Sequence, residues 1–287
     1  MTDTQTIVWV DGRRLPPEAP HISARDRGFT LADGVFETMT ARHGRIFRLD
    51  RHLARLSGAL RALAIPMPPE LSDWVRAAVQ AARLPDASVR LTITRGVAAG
   101  GVTPPADPSP TAVVAVAPLP AFGTVHEIGL TAHVASGRRN EYSMTAGLKT
   151  LAYTDSVAAM LEARGAGADE ALFLDTAGHC SEASASNLFA VIGGHLVTPP
   201  TSCAALPGIT RAAVLELAAD LRIGAAESPF GLADLMSADE AFLTSSLRAI
   251  VPLVRADGRD IGRGSPGSVT RLVMAAYAAL VEQECAT

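Results

Sequence analysis

The first apolar run, Ile7-Val8-Trp9-Val10, stops at Asp11-Gly12 and so predicts a strand entering a tight turn. Residues 35–41 predict a second strand, with His43-Gly44 as the next turn. From Arg48 the period changes: Leu49, Leu53, Leu56, Leu60 and Leu63 recur at helical spacing, with Arg and His between them. Residues 71–82 predict another helix, and Asp86 precedes a strand at 89–94. The stretch 100–110 is rich in Gly and Pro and reads as a loop, after which 112–116 is a short, wholly apolar strand.

Pro118-Leu119-Pro120, followed by Gly123, has the composition of an interdomain linker. Beyond it the pattern is denser in strands, expected at 128–134, 170–175, 188–192 and 240–244. Helices are expected at 152–164, 211–222 and 268–284. Strands and helices do not alternate strictly enough for a doubly wound sheet, so the expected class is α+β. A length of 287 residues suits two packed domains. They are placed at 1–119, a smaller N-terminal α/β domain, and 128–287, a larger strand-rich domain, with 120–127 as linker.

Composition narrows this without changing it. At 48% hydrophobic and 19% charged, the chain is soluble and globular with ample material for a core. A net charge of -4 gives no electrostatic reason to expect nucleic acid or an anionic membrane as partner. The start lacks a basic segment leading into an apolar stretch, and no apolar run is long enough to span a bilayer, so the cytoplasm is the expected location. Cys180, Cys203 and Cys285 are odd in number and far apart, which fits free thiols. They lack metal-ligand spacing, so no metal is expected.

Candidate chemistry starts from one count. Lys149 is the only lysine; every other cation among the 25 is arginine. Lysine forms imines and arginine does not, which makes a lone lysine among uncharged neighbours a candidate nucleophile. Chance in an arginine-biased sequence explains it as well. Gly208-Ile209-Thr210-Arg211 opens a helical pattern, where exposed N–H groups suit an anion; an ordinary turn capped by Thr210 is the alternative. Glu182 stands among small hydroxylated residues before a hydrophobic strand, where a carboxylate can meet a protonated ring nitrogen or merely occupy a polar loop. Tyr153 follows Lys149 by four residues and shares its face if the helix begins that early. His52 and Arg55 share a helix face at i and i+3, and a guanidinium fork suits a phosphate, although a solvated face explains the pair equally.

The order of these features carries more than any one of them. Residues 26–38 (Asp26-Arg27-Gly28-Phe29-Thr30-Leu31-Ala32-Asp33-Gly34-Val35-Phe36-Glu37-Thr38) and His52-Leu53-Ala54-Arg55-Leu56 resemble the N-terminal signatures of class IV, fold-type IV aminotransferases. Arg138-Arg139-Asn140-Glu141, Lys149-Thr150-Leu151-Ala152-Tyr153, residues 181–189, Leu206-Pro207-Gly208-Ile209-Thr210-Arg211 and Phe242-Leu243-Thr244-Ser245-Ser246-Leu247 continue the series over nearly the whole chain. That family contains branched-chain and D-amino-acid aminotransferases, (R)-selective amine transaminases and aminodeoxychorismate lyases.

The resemblance implies a two-domain pyridoxal 5′-phosphate enzyme working by a ping-pong mechanism through a Lys149 aldimine. It implies that Glu182 bonds the pyridine nitrogen and Tyr153 the phenolic oxygen. Arg55, the N–H groups of Ile209 and Thr210, and Ser246 would hold the phosphate, with Leu206 on the ring face. Phe36 and Thr38 fall where the family lines its substrate pocket, and a homodimer completes that pocket. The arginine motifs used by the lyases and D-amino-acid enzymes after residue 96 are absent here, where the chain reads Val97-Ala98-Ala99-Gly100-Gly101-Val102. Thr38, on the other hand, is the residue type of the lyases. Arg248, or else Arg138 or Arg139, is then the candidate partner for a substrate carboxylate, each of them equally readable as a surface arginine. The expected activity is transfer of an amino group from an amino acid, a D-amino acid included, or an (R)-primary amine to a 2-oxo acid. Aminodeoxychorismate lyase activity and a non-catalytic cofactor-binding scaffold are the alternatives.

Overall fold

A computed structural model describes residues 6–286 apart from residues 17 and 20. It divides into two compact units, Met1–Pro120 with Leu148–Ala152 and Val281–Thr287, and Ala121–Gly147 with Tyr153–Leu280. A division into contiguous segments does not contain the two returning stretches, both of which lie past the expected linker.

The first unit contains β1 (Ile7–Val10), β2 (Arg13–Leu15), α1 (Arg27–Leu31), β3 (Gly34–Arg42), β4 (Arg45–Ile46), α2 (Leu49–Ala62), α3 (Leu71–Ala82), β5 (Asp86–Thr94) and β6 (Thr111–Pro118). Its strands form one antiparallel sheet in the order β2-β1-β6-β5-β3-β4. Both expected turns are present. Asp11 and Gly12 have φ of 47 and 76°, and His43 and Gly44 have 50 and 73°, the doubly left-handed backbone that matches the twist of a two-residue hairpin. Along β3, Val35, Met39 and Ala41 point into a core shared with Leu49, Leu56 and Leu60 of α2 and Leu71, Val75 and Val79 of α3. The leucine stripe therefore buries as its period requires. Glu37 falls on the same side by the two-residue alternation of a strand, while Phe36, Thr38 and Thr40 take the other. The 100–110 loop has no regular structure, but buried Arg27 donates to the carbonyls of Gly101 and Val102 while pairing with Asp33.

The second unit contains α4 (Val125–Ile128), β7 (Leu130–Arg139), α5 (Thr154–Gly165), β8 (Glu170–Asp175), β9 (Cys180–Ala183), β10 (Asn187–Ile192), β11 (His195–Thr198), α6 (Ile209–Asp220), β12 (Ala225–Glu227), α7 (Leu232–Ser237), β13 (Glu240–Ser245), β14 (Ala249–Ala256) and β15 (Arg259–Asp260), and α8 (Ser268–Ala286) begins in it. Its sheet runs β12-β11-β10-β13-β14-β7-β8-β9, and β9 pairs back onto β10, which closes a six-stranded ring. Phe189 of β10 and Phe242 of β13 sit opposite each other, fully buried and stacked at 5.0 Å.

Three local differences from the sequence reading have physical causes. The strand expected at 128–134 starts at Leu130, because Gly129 (φ 84°) ends α4 where a Cβ would meet the Val254 side chain at 2.4 Å. β14 escapes the pattern because Pro252, opposite Phe242, looks like a strand breaker in isolation. The helix expected from 152 starts at Thr154, with Tyr153 as its N-cap. Lys149 therefore precedes the helix, and the two side chains do not share a helical face.

Candidate active site

Lys149 lies in the short returning segment of the first unit. Lys149 O accepts from Phe36 N at 3.0 Å, Leu151 N donates to Gly34 O at 3.0 Å, and Thr150 bridges Val35. Glycine at 34 permits this approach: a Cβ there would come within 2.4 Å of Ile93 O and 2.9 Å of Leu151 Cδ1. The segment is thus laced to β3, and the half-buried Lys149 amine stands 4.4 Å from the centroid of the Phe36 ring.

On the opposite, helix-covered side of β3, Glu37 is completely buried and takes hydrogen bonds from both residues of the expected His52/Arg55 pair. Its Oε2 is 2.7 Å from His52 Nδ1 and 2.6 Å from Arg55 Nη2, and its Oε1 is 2.8 Å from Arg55 Nε. Burial alone would raise the Glu37 pKa, but the bonds from His52 and Arg55 and the arginine charge outweigh it and hold the carboxyl below its ordinary value. His52 is also lowered, first by burial and then by the Arg55 and Lys149 charges, against the pull of Glu37. A neutral imidazole donating Nδ1–H to an ionised carboxylate satisfies both shifts. The His52/Arg55 face is therefore not a solvated one. Glu37 stands within the family motif, where sequence reasoning assigns it no role; its place in a hydrophobic strand beside an i, i+3 pair of donors is the available signal.

Phe36 and Thr38 point away from those helices, and Arg90 of β5 lies directly across from Thr38. The Arg90 guanidinium is 3.8 Å from the Phe36 ring centroid, so one aromatic ring touches both this arginine and the Lys149 amine. Sequence reasoning missed Arg90, one arginine among many; only its register partner distinguishes it.

In the second unit Glu182 lies within β9 rather than in a loop. Its Oε2 accepts from Leu206 N at 2.9 Å and from Asn187 Nδ2 at 3.4 Å, and its Oε1 is 3.5 Å from Arg139 Nε. Asn187 Nδ2 also donates to Leu206 O at 2.8 Å, so one amide ties the carboxylate to the loop before α6. Asn187 lies inside the 181–189 motif, and nothing in the sequence singles it out there. Arg139, offered as a carboxylate binder, instead stacks 4.2 Å over Phe173 and donates to Ser156 Oγ. Arg138 donates to the carbonyls of Ala135, Ser136 and Gly137, and Arg248 pairs with buried Glu170 at 3.1 Å. All three arginines proposed for a substrate carboxylate have protein partners.

The N-cap of α6 is Gly208, not Thr210, and no side chain caps the helix. Thr210 sits in the first turn, buried, with its hydroxyl 3.3 Å from Tyr277 Oη. A Cβ at Gly208 would come within 2.0 Å of Asn187 Oδ1. The helix thus presents its first N–H groups from a position only glycine fills, which fits an anionic group such as a phosphate. Ser246 follows β13 in a turn, and Tyr153 lines a groove along α5 with Ser156 and Ser184. The second unit thus holds helix N–H groups suited to an anion and a fixed carboxylate, and the first unit holds the only lysine of the sequence.

Comparison with known proteins agrees. Residues 34–256 match the family model described as amino-transferase class IV. A Methanocaldococcus jannaschii protein, provisionally named a branched-chain-amino-acid aminotransferase, is 35% identical, covering 92% of this chain and 92% of that protein. The T.th. branched-chain amino acid aminotransferase, solved with pyridoxamine 5′-phosphate, superposes with a TM-score of 0.90 at 29% identity, covering 96% of this chain and 93% of that one. The 4-amino-4-deoxychorismate lyase of Pseudomonas aeruginosa gives 0.83 at 34% identity, covering 96% and 98%. Among the described residues no helix is long and apolar enough to cross a membrane. With the motifs in order and the match spanning both units, this chain belongs to the class IV aminotransferases, enzymes that use pyridoxal 5′-phosphate.

Proposed function

We propose that the enzyme moves the amino group of an aliphatic 2-amino acid to a 2-oxo acid, with branched-chain side chains preferred, and that it works as a cytoplasmic homodimer. The observation that carries the substrate class is the shared Phe36 ring. A 2-amino acid carries its amino-bearing carbon one bond from its carboxylate, so it needs an amine and a cation close together; Lys149 and Arg90 both lie within 4.4 Å of one ring centroid. A cation there favours a carboxylate-bearing donor over an (R)-primary amine. The names of the relatives favour branched-chain over D-amino-acid donors.

Bound pyridoxal phosphate supplies a sink for the electron pair left when the substrate's Cα–H bond breaks. Lys149 Nζ, when unprotonated, accepts that proton and later returns it, and the β3 lacing holds it in place for both transfers. Glu182, fixed by Leu206 N–H and Asn187, would accept a hydrogen bond from the pyridine nitrogen, and Tyr153 would donate to the phenolic oxygen. By the family resemblance, Arg55, aimed by Glu37, would serve as a phosphate ligand, as would Ser246 and the N–H groups of Ile209 and Thr210. Leu206 would pack on the ring, and Phe36 and Thr38 would bound the substrate's side chain.

Half-reaction rates with L-leucine, D-alanine and (R)-1-phenylethylamine test the reading. L-leucine reacts fastest, and Arg90→Ala raises KM for L-leucine and its 2-oxo acid by about 10–100-fold, the worth of one charged hydrogen-bonded contact. An unchanged KM in that variant, or faster reaction with either other donor, rejects the assignment. The likeness to the Pseudomonas lyase keeps a second reading: rapid release of pyruvate and 4-aminobenzoate from aminodeoxychorismate would replace the first.

A further inference from the structure

We propose that the second unit binds a transition-metal ion of the zinc type at Asp175, His179 and Cys203. Among the described residues these form the one group of three potential metal ligands, with a carboxylate oxygen, an imidazole nitrogen and a thiol sulfur all within 4.8 Å of one another. A tetrahedral zinc spaces its donor atoms roughly 3.3–3.8 Å apart, so side-chain shifts of about 1 Å close the set around an ion. Mixed oxygen, nitrogen and sulfur donors select zinc-like ions over magnesium or calcium.

The backbone pre-forms two of the three positions. Asp175 ends β8 and His179 directly precedes β9 across a hairpin whose Gly178 has φ of 91°. Asp175 Oδ1 accepts from His179 N at 2.8 Å, and its Oδ2 lies 3.1 Å from His179 Nδ1. Cys203 enters from the 3-10 turn Thr201–Cys203, its N–H donating to Pro200 O at 3.0 Å. Asp175 and Cys203 are buried, whereas the His179 side chain is 43% exposed, which gives an ion an entry path and leaves a coordination position to water. Glu141 is the further carboxylate facing the group; it is held by Thr176 N and Oγ1 and adds negative potential. Without metal the Cys203 thiol donates to the Asp175 carboxylate. Binding breaks the S–H bond, forms a metal–sulfur bond and releases the proton to solvent.

The site also has a place in the enzyme. Cys203 lies three residues before Leu206, whose N–H fixes Glu182, and five before Gly208, which opens α6. A metal there ties the β8–β9 hairpin to the loop that leads into the cofactor's anion cradle. Spacing in the sequence hides the set, because the cysteine is 24 residues beyond the histidine and no second cysteine joins it.

The test is Co2+ binding to chelator-treated holoenzyme. Tetrahedral cobalt absorbs at wavelengths longer than the cofactor, and one equivalent per chain is expected, with Zn2+ displacing it. Cys203→Ser and, independently, His179→Gln abolish that band while the cofactor spectrum, which reports folding, persists; Cys180→Ser leaves it intact. No tetrahedral cobalt band in the wild-type protein, or a band that survives both ligand substitutions, overturns the proposal.

Discussion

Two carboxylates, one in each unit, are held in opposite ways. Glu37 is fixed by side chains that carry or can carry charge, His52 and Arg55 from one helix face. Glu182 is fixed mainly by backbone and amide donors, Leu206 N–H and Asn187, with Arg139 farther off at 3.5 Å. The first arrangement is electrostatic, so it responds to proton concentration. The second is a loop conformation, so it responds to shape. In the proposed mechanism both serve the chemistry, yet they should fail under different insults.

The largest effect expected is on the amine that the first unit presents. Lys149→Ala should lower transamination by at least about a thousandfold, the loss of nucleophile and general base together, with no borohydride-sensitive absorbance remaining. Turnover near the wild-type rate would end the account of the first unit.

Next comes the triad of Glu37, His52 and Arg55. Glu37→Leu leaves the largely buried Arg55 guanidinium beside a hydrocarbon and should cost about 3–5 kcal/mol of unfolding free energy in urea titrations. The same triad sets a pH dependence. His52 and Glu37 both titrate below their ordinary values when folded, so the unfolded chain takes up protons first on acidification. Their contribution is complete above about pH 6.5; it is lost first through His52, then through Glu37 below about pH 4.5. In His52→Gln the decline between those values should vanish, and a wild-type stability that stays flat from pH 7 to 5 would show the triad to be inert.

The shape-dependent site is probed by Gly208→Ala. Its new methyl meets Asn187 Oδ1, the residue that ties Glu182 to the loop, so cofactor affinity should fall about tenfold, on the order of 1.4 kcal/mol. Stability without cofactor should fall as well, by about 1–3 kcal/mol, because the buried Asn187 amide must move off its bonds to Leu206 and Glu182. A variant that kept full cofactor affinity would show that Glu182 is not held by the shape of this loop. The smallest effect marks the baseline. Arg255 and Asp260 pair at 2.7 Å but are half exposed, and Arg255→Ala should change stability by no more than about 0.5 kcal/mol.

Legibility followed the same division. The leucine stripe, the Asp11-Gly12 and His43-Gly44 turns and the i, i+3 pairing of His52 with Arg55 are local periodicities, and they could be read directly. The partner of that pair, Glu37, needed β3 to turn one side toward α2. Arg90 needed the β3–β5 register, and the tie from Glu182 to Leu206 needed a loop 24 residues downstream. The arginines that sequence order made attractive for a carboxylate, Arg138, Arg139 and Arg248, were found with protein partners.

By itself the sequence determined the class of chain, its main helices and strands, its single imine-forming amine and the order of its motifs, because each of these depends on residue chemistry or on spacing within a few turns. Tertiary structure alone decided which arginine meets the aromatic ring beside Lys149, which carboxylate pins Arg55, and which aspartate, histidine and cysteine converge. Those depend on distances between residues far apart in the chain, and such distances exist only once sheets pair and loops close.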